Sequence, residues 1–258
     1  MVSQIVPADT PVPGKRLCYN PPMFEKSADI YDAVYSWKDY EAESNGVREA
    51  FERHAKRPVR DVLDVGCGTG AHMVYLQRHY NVEGLDLDPG LLQVARAKLP
   101  DLTFHQGNML DFDLGRQFDA AMCMFGAIAY TLTPGALNTA VENIARHVRP
   151  GGVVVVEPWL RPDVYKPGTV HAQFVDQPEL KIARIVLSRR EGDAAVLDMH
   201  YLVGTPDEVR HFTESHTVGL FTREQMEAAF GQAGLAVTYE ESEPWRRGLY
   251  AAVKPGTP

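Results

Sequence analysis

The most constraining feature of this chain is a glycine-rich turn that directly follows an apolar strand. Residues 62–70 read VLDVGCGTG, so Gly66, Gly68 and Gly70 are spaced as GxGxG. Glycine suits such a turn because it tolerates positive φ and has no Cβ to hold a ligand away from the backbone. The spacing differs from the GxGxxG of dinucleotide-binding folds, and no Lys-Ser/Thr pair follows as in a phosphate loop. The turn therefore predicts a ligand held against bare backbone and points away from NAD and ATP.

A second apolar run, residues 82–85, ends in Asp86, sixteen residues after Gly70. A carboxylate at the end of that strand is placed to hold the two hydroxyls of a ribose. Strand, glycine turn, helix and acid-tipped strand together resemble the S-adenosylmethionine (SAM) site of class I methyltransferases. The alternative interpretation is an ordinary strand-to-helix turn with a surface aspartate.

Strand-like and helix-like segments alternate on both sides of this motif. The predicted strands are 59–65, 82–86, 102–105, 118–124 and 153–156, and the helices between them are 71–80, 91–99 and 136–148. Thr133 and Pro134 are typical of the N-cap and first position of a helix. This alternation predicts an α/β, Rossmann-like fold with a mostly parallel sheet, helices on both faces and ligands at the carboxyl ends of the strands.

The alternation stops after the fifth strand. Residues 181–189 and 195–203 alternate apolar and polar side chains around Glu191-Gly192-Asp193, which predicts an antiparallel hairpin, and 209–220 follows as a third strand. We interpret 157–220 as an antiparallel substrate-binding lid inserted after strand five. The core fold resumes with the capping box Thr222-Arg223-Glu224-Gln225, and strands 235–240 and 249–253 close it.

Length and composition indicate one large domain. We assign residues 1–27, rich in proline, to an N-terminal arm, 28–253 to the domain and 254–258 to a tail. No apolar run approaches the roughly 20 residues of a membrane span, and the start lacks a secretory pattern, so we expect a cytoplasmic protein without membrane partners. The net charge of −8 disfavours nucleic acid. Cys18, Cys67 and Cys123 fit reduced thiols, and no metal site is predicted.

Residues 28–40, ADIYDAVYSWKDY, place Ile30, Tyr31, Val34 and Tyr35 near one helical face. A helix of this kind could close over a pocket, and a second helix is predicted over 41–54. We expect Tyr31 to contact the cofactor and Tyr35 the substrate.

Further stretches narrow the resemblance. QGNMLDF, CMFGAIAY, GGVVVVEPW, SRREG, MHYLV, ESHTVGLFTREQ and RGLY resemble the matching stretches of bacterial N-methyltransferases that act on nucleotide-linked aminodeoxysugars of antibiotic pathways. The resemblance runs from about residue 31 to 253. It implies SAM as cofactor, S-adenosylhomocysteine as product, and a thymidine-diphosphate (TDP) 3-amino sugar that receives one or two methyl groups.

The resemblance also implies cofactor contacts. Asp64 would organise the glycine turn and face the methionine ammonium through water, and the carbonyl of Cys123 is another candidate for that ammonium. Asn108 would take the adenine amino group between Leu87 and Met109. The predicted cofactor residues are Tyr31, Asp64, Gly66, Cys67, Gly68, Gly70, Asp86, Leu87, Asn108, Met109 and Cys123.

The lid carries polar residues suited to such a substrate. Arg184, Ser188 and Arg190 share one face of the first hairpin strand, and Asp198 and His200 share one face of the second; we interpret them as a polar patch. Arginine suits a diphosphate because its planar fork donates two parallel hydrogen bonds. The alternative is a solvated surface face. The predicted substrate residues are Tyr35, Phe125, Glu157, Trp159, Arg184, Ser188, Arg190, His200 and Arg247.

Methyl transfer from a sulfonium requires an unprotonated amine held near attack distance in a closed pocket. We expect Tyr130 and His216 to orient the amine or accept its proton. Two other functions stay open: an O- or N-methyltransferase of a small aglycone or glycoside, and a SAM-binding protein without turnover. Which sugar is used, whether one or two methyl groups are added, and whether the chain is a monomer or a homodimer also stay open.

Overall fold

A computed structural model of the chain describes residues 24–241 and 244–256. Cys18 and the first 23 residues of the predicted arm lie outside the described residues. The helices are α1 Tyr31–Val34, α2 Tyr40–His54, α3 Met73–Leu76, α4 Pro89–Lys98, α5 Pro134–Arg146 and α6 Arg223–Gln232. The strands are β1 Asp61–Val65, β2 Asn81–Asp86, β3 Thr103–Gln106, β4 Phe118–Cys123, β5 Val148–Val156, β6 Val170–Gln177, β7 Leu180–Glu191, β8 Ala194–Gly204, β9 Val209–Gly219, β10 Ala236–Glu240 and β11 Leu249–Val253.

Seven strands form one sheet in the order β10-β11-β5-β4-β1-β2-β3. Strands β1 to β5 pair in parallel, whereas β11 lies antiparallel between β5 and β10. Every residue of β4 is buried, as expected for a strand covered by helices on both faces. The predicted α/β fold is confirmed. The glycine turn leaves the carboxyl end of β1, beside the end of β2.

Local sequence signals fix the helices around this sheet. The hydroxyl of Thr133 accepts a hydrogen bond from Ala136 N and begins α5, and Pro134 takes its first position. Thr222 and Gln225 make both hydrogen bonds of the predicted capping box at α6. No described helix has the length and apolar character needed to cross a membrane.

The N-terminal part differs from the single predicted helix over 28–40. It consists of a 3-10 turn, Ala28–Ile30, the short helix α1, and an irregular stretch before α2. The prediction is wrong in extent because Asp39 caps a new helix, its carboxylate accepting a hydrogen bond from Ala42 N. Helix α3 is likewise shorter than predicted, since Tyr75 N donates to His72 O in a 3-10 pattern and the same pattern joins Arg78 to Tyr75.

The insertion after β5 forms a second, four-stranded antiparallel sheet in the order β6-β7-β8-β9, which we call the lid sheet. The prediction included three of these strands and missed β6. That strand is an edge strand with mostly exposed side chains, so it has no amphipathic signal of its own. The inner face of the lid sheet buries Ile182, Met199 and Tyr201 against Ile30 and Val34 of the N-terminal part.

Candidate functional site

A cavity of about 1220 Å³ lies between the carboxyl edge of the large sheet and the inner face of the lid sheet. The large sheet contributes the glycine turn and the ends of β2, β4 and β5, and the N-terminal part contributes Tyr31 of α1 and Tyr35 just after it. Predicted site residues that line the cavity are Tyr31, Tyr35, Gly66, Gly68, Asp86, Leu87, Asn108, Met109, Phe125, Tyr130, Glu157, Trp159, Arg184, Ser188 and Arg247.

The structure does not place every predicted residue on the cavity wall. Buried residues that do not line it are Asp64, Cys67, Gly70, Cys123 and His216. Arg190 and His200 are exposed outside it. The buried residues can therefore act on a ligand only through the residues that cover them.

The glycine turn is held against the end of β2. Gly66, Gly68 and Gly70 all have positive φ, at 74°, 54° and 74°. A Cβ at Gly66 would lie 2.7 Å from the Cβ of Ala127, a distance that side chains do not tolerate. Gly68 N donates to Asp86 Oδ2 at 2.7 Å. The turn thus positions the acidic residue as well as exposing bare backbone to the cavity.

Two buried carboxyl groups lie beside this turn. Asp86 Oδ1 accepts a hydrogen bond from Asp88 N at 2.9 Å, and burial nevertheless raises the pKa of Asp86 to about 6. Burial raises the pKa of Asp64 to about 7, and within the described part of the chain its Oδ2 has no hydrogen-bond partner. A buried acceptor without a donor is costly, so this end of the cavity suits a ligand that brings hydroxyl or ammonium donors, to Asp86 directly and to the covered Asp64 through water.

Asn108 and its neighbours form the far wall of the same end of the cavity. The Asn108 side-chain oxygen accepts a hydrogen bond from Leu110 N at 3.0 Å, which fixes the turn after β3. In the part of the chain that the structure describes, its NH₂ group and the second lone pair of the oxygen remain for a ligand. Leu87 and Met109 line the wall around it and supply apolar surface.

Phe125 occupies a strained position at the end of β4. Its φ is 55°, a conformation that costs a bulky residue of order 1–3 kcal/mol, about what functional sites store. The backbone N donates to Glu157 Oε2 at 2.7 Å, and the guanidinium of Arg247 lies 5.1 Å from the ring. Arg247 also donates to Glu157 Oε1. Arg247, one of the predicted substrate residues, is therefore in a buried ion pair with Glu157.

Lys38 lines the cavity but is not among the predicted site residues. Its side chain is 3% exposed and pairs with Glu43, and its ammonium lies 3.9 Å from the centroid of the Phe125 ring. Glu43 in turn lies 2.8 Å from His72 Nε2. A lysine in a stretch that reads as an amphipathic helix gives no signal of burial, so only the tertiary contact identifies it.

The lid sheet corrects the predicted polar patch. Arg184 pairs with Tyr201 and Ser188 with Leu197 in the register of β7 and β8. Side chains of paired residues share a face, so Asp198 and His200 point to the opposite face from Arg184. The prediction of one patch is wrong, because the register puts even-numbered residues of β7 on the same face as odd-numbered residues of β8. Arg190 is also outside the cavity, bonded to Gly192 O at 2.9 Å.

Two members of the predicted patch do face the cavity. Arg184 donates from Nη1 to the Tyr35 hydroxyl at 3.0 Å and from Nη2 to Gln173 at 2.5 Å. The buried Nε of Arg184 has no hydrogen-bond partner among residues 24–241 and 244–256. The Ser188 hydroxyl is 2.7 Å from that of Thr169. This wall therefore presents a fixed guanidinium to the cavity.

Tyr130 and His216 meet although 86 residues separate them in sequence. The Tyr130 hydroxyl lies 2.9 Å from His216 Nδ1. Tyr130 is on the 3-10 turn Ala127–Thr131 after β4, and His216 is on the inner face of β9. Burial raises the pKa of Tyr130 well above its ordinary value, so the phenol keeps its proton. The pair presents a hydroxyl to the cavity with a buried imidazole behind it.

Comparisons with known proteins agree with this architecture. A family model described as a methyltransferase domain matches residues 62–152, from β1 into β5. The dTDP-3-amino-3,6-dideoxy-alpha-D-glucopyranose N,N-dimethyltransferase of Streptomyces fradiae is 42% identical over 230 residues, which are 88% of this chain and 90% of that protein.

Two solved structures extend the likeness to three dimensions. DesVI of Streptomyces venezuelae is 41% identical with a TM-score of 0.84, covering 89% of this chain and 98% of that one. SAM-bound CalS10, an amino pentose methyltransferase from Micromonospora echinaspora involved in calicheamicin biosynthesis, is 34% identical with a TM-score of 0.79. That match covers 93% of this chain and 99% of CalS10.

Proposed function

Because this chain belongs to the family of SAM-dependent aminosugar N,N-dimethyltransferases, we propose that it methylates the amino group of a TDP-linked 3-amino-deoxysugar in antibiotic sugar biosynthesis. The extent of the likeness carries this proposal. A match over 88% of the chain cannot leave out the whole insertion 157–220, whose lid sheet forms the substrate half of the cavity. An enzyme of small aglycones would combine the same cofactor half with a different lid, and a non-catalytic SAM-binding protein would require only the cofactor half.

The residues at the glycine turn fit SAM. Gly66 and Gly68, both with positive φ, present bare backbone to the cavity. Asp64, whose buried Oδ2 has no hydrogen-bond partner among the described residues, would face the cofactor's ammonium group through water. Asp86 would accept from the ribose hydroxyls, Asn108 would meet the adenine, and Tyr31 would cover the cofactor from α1. When bound, SAM supplies an electrophilic methyl group on a sulfonium.

The residues facing the substrate would hold the sugar amine dry and unprotonated. Tyr35, Phe125 and Trp159 supply apolar wall, and α1 with the lid sheet shields it from water. The Tyr130 oxygen would accept a proton from the substrate ammonium while its own proton passes to His216 Nδ1. The amine is then a nucleophile, and holding it in place is the main remaining task.

Two guanidinium groups on the cavity wall are candidates for the diphosphate. The guanidinium of Arg184 lines the cavity and is held by Tyr35 and Gln173. Arg247 donates from Nε and Nη2 to Glu157, which among the described residues leaves other N–H donors of its five for a ligand. We propose that both groups contribute to binding of the nucleotide part. Ser188 and Glu157 act by holding the neighbouring groups in place.

Mass spectrometry of the products tests the proposed function. The enzyme is incubated with SAM and, in parallel, with a TDP-3-amino-deoxysugar, its 3-hydroxy analogue, the free aminosugar, a finished glycoside and its aglycone. We expect mass gains of one or two methyl groups on the nucleotide aminosugar alone, because the free sugar lacks the binding energy of the nucleotide. Faster methylation of a glycoside or aglycone would contradict the proposal.

A second part of the proposal concerns assembly and location. The outer face of the lid sheet exposes Phe174 at 72%, Leu202 at 50% and Val209 at 73%, which is more apolar surface than single scattered residues provide. We propose that two copies of the chain pair through this face as a homodimer. We also propose a cytoplasmic location, where the free thiols of Cys67 and Cys123 stay reduced. Light scattering should give twice the chain mass, and a Phe174→Glu, Leu202→Glu variant should give the chain mass. A monomeric wild type would contradict the dimer.

A further inference from the structure

Glu214 connects the N-terminal segment of residues 24–27 to the buried His216. Its Oε1 accepts a hydrogen bond from Lys26 N at 2.9 Å, and its Oε2 accepts from the Ser27 hydroxyl at 2.6 Å. The same Oε2 lies 3.9 Å from His216 Nε2, with the two side chains 6% and 0% exposed. One carboxylate therefore contacts both the N-terminal segment and the imidazole of His216.

The contact with Tyr130 defines the tautomer of neutral His216. When Tyr130 donates its O–H to Nδ1, the hydrogen of the neutral imidazole must sit on Nε2. Among the described residues that Nε2 has no hydrogen-bond partner, and Glu214 is the carboxylate within ion-pair distance of it. A proton that reaches Nδ1 makes the ring a cation, whose charge the adjacent carboxylate stabilises.

The segment also covers His216. The ring of Phe24 lies 4.6 Å from the imidazole and 5.3 Å from Tyr31, and Phe24 N donates to Asp88 Oδ2 beside the cofactor end of the cavity. The segment thus touches the cofactor end, the proton acceptor and Glu214 together. If it moves away, Glu214 loses two donors and His216 is opened to water.

We infer that Glu214 is a positioning residue that couples closure of residues 24–27 over the cofactor to removal of the substrate proton by Tyr130 and His216. In the closed state the ammonium N–H bond breaks toward Tyr130, the Tyr130 O–H bond breaks toward His216, and the imidazolium faces Glu214. On opening, the imidazolium releases its proton to water. This inference rests on the proposed function, because it assigns roles within the same reaction.

Other charged groups nearby are accounted for. Tyr31 from α1 and Tyr201 from β8 are titratable groups facing the same region, and burial raises the pKa of both. The Lys26 ammonium bonds to Thr213 O at 3.3 Å and is exposed. Asp86 and Tyr35 also face Tyr130. Glu214 is the carboxylate within ion-pair distance of His216, so its charge can be tested by substitution.

Three variants separate the contact of Glu214 with residues 24–27, which we call the latch, from its charge interaction with His216. Ser27→Ala removes one hydrogen bond of the latch and leaves the charge of Glu214, so we expect three- to tenfold faster release of SAM with an unchanged pH profile of kcat. Glu214→Gln keeps an acceptor for Lys26 N and loses the charge. We expect kcat to fall at least tenfold and the acidic limb of its pH profile to move to lower pH, because the protonated imidazole is no longer favoured. Glu214→Ala should show both effects.

Stopped-flow measurement of SAM release and steady-state kinetics from pH 5 to 9 supply the readouts, with the exposed Glu191→Gln as the matched control. If Glu214→Gln only speeds SAM release and leaves kcat and its pH profile unchanged, Glu214 is a latch alone and the inference is wrong. If the wild type methylates no nucleotide aminosugar, the proposed function fails instead, and the release rates still report on the latch.

Discussion

Arg247 and Glu157 form an ion pair inside the cavity wall, with Nη2 2.5 Å from Oε1 and the two side chains 13% and 6% exposed. The same carboxylate fixes the strained backbone of Phe125 through its other oxygen. Removing either partner would leave an uncompensated buried charge. The pair is therefore part of the structure of the site as well as a candidate for substrate binding.

Arg247→Ala should therefore affect both stability and activity. We expect a loss of about 3–5 kcal/mol in the free energy of unfolding, because Glu157 is left buried and unpaired. We also expect a roughly thirty- to hundredfold lower kcat/KM for the nucleotide sugar, with SAM affinity nearly unchanged. Denaturant unfolding and steady-state kinetics measure the two effects. The double variant Arg247→Ala, Glu157→Gln should recover stability and leave activity low; recovery of both would show that Arg247 has no role in binding substrate.

SAM affinity should depend on pH through Asp86. The pKa of Asp86 in the folded protein is about 6, above the ordinary value of an aspartate. Below pH 6 most of the carboxyl is therefore protonated and can no longer accept hydrogen bonds from both ribose hydroxyls. We expect the Kd of SAM to be roughly tenfold higher at pH 5 than at pH 8 by calorimetry.

Asp86→Asn is the control for this dependence. It should bind SAM at least tenfold more weakly at pH 8, since charge-assisted hydrogen bonds are worth about 1.5–3 kcal/mol each, and its remaining pH dependence should be flatter. A folded Asp86→Asn protein that keeps wild-type affinity would place the ribose elsewhere.

Tyr130→Phe tests the proton acceptor. We expect a fall in kcat of about a hundredfold, in the range that a positioned acid–base group contributes, with the KM for SAM within twofold of wild type. Tyr80→Phe, on a half-buried tyrosine packed on Phe51 away from the cavity, should have wild-type kinetics. Equal kinetics for the two variants would remove Tyr130 from the proton path.

Gly66→Ala tests the glycine turn. The new Cβ would lie 2.7 Å from Ala127 at a φ of 74°, so we expect lower stability and loss of SAM binding. Gly135→Ala is the matched control, since a Cβ there meets nothing within 4 Å in helix α5. It should be neutral or stabilising by about 0.5–1 kcal/mol. Differential scanning calorimetry with and without SAM measures both variants, and equal behaviour would contradict the role of the turn.

The cofactor half was predictable because its signals are local. The glycine turn and Asp86 are separated by one helix, and the register of β1 and β2 brings them together without further information. Substrate-side relationships are not local in this way. Glu157 and Arg247 pair across 90 residues because β11 lies beside β5 in the large sheet. Tyr130 and His216 pair across 86 residues, and their contact depends on how the lid sheet docks.

The errors have the same origin. His200 was placed with Arg184 because strand alternation fixes a face within one strand, and the pairing of two strands requires their register. Lys38 was missed because its burial comes from Phe125, which lies in a different part of the chain. Edge strand β6 was missed because its side chains are mostly exposed.

The inner face of the lid sheet buries Ile182, Met199 and Tyr201 together with Ile30 and Val34, which precede the large sheet in the chain. Recombination between relatives that moved residues 157–220 alone would separate the two halves of this small core. A chimera intended to change the accepted sugar should therefore transfer the stretch around Ile30 and Val34 with the lid. The residues that such a transfer must move together are therefore encoded in two separate stretches of the gene.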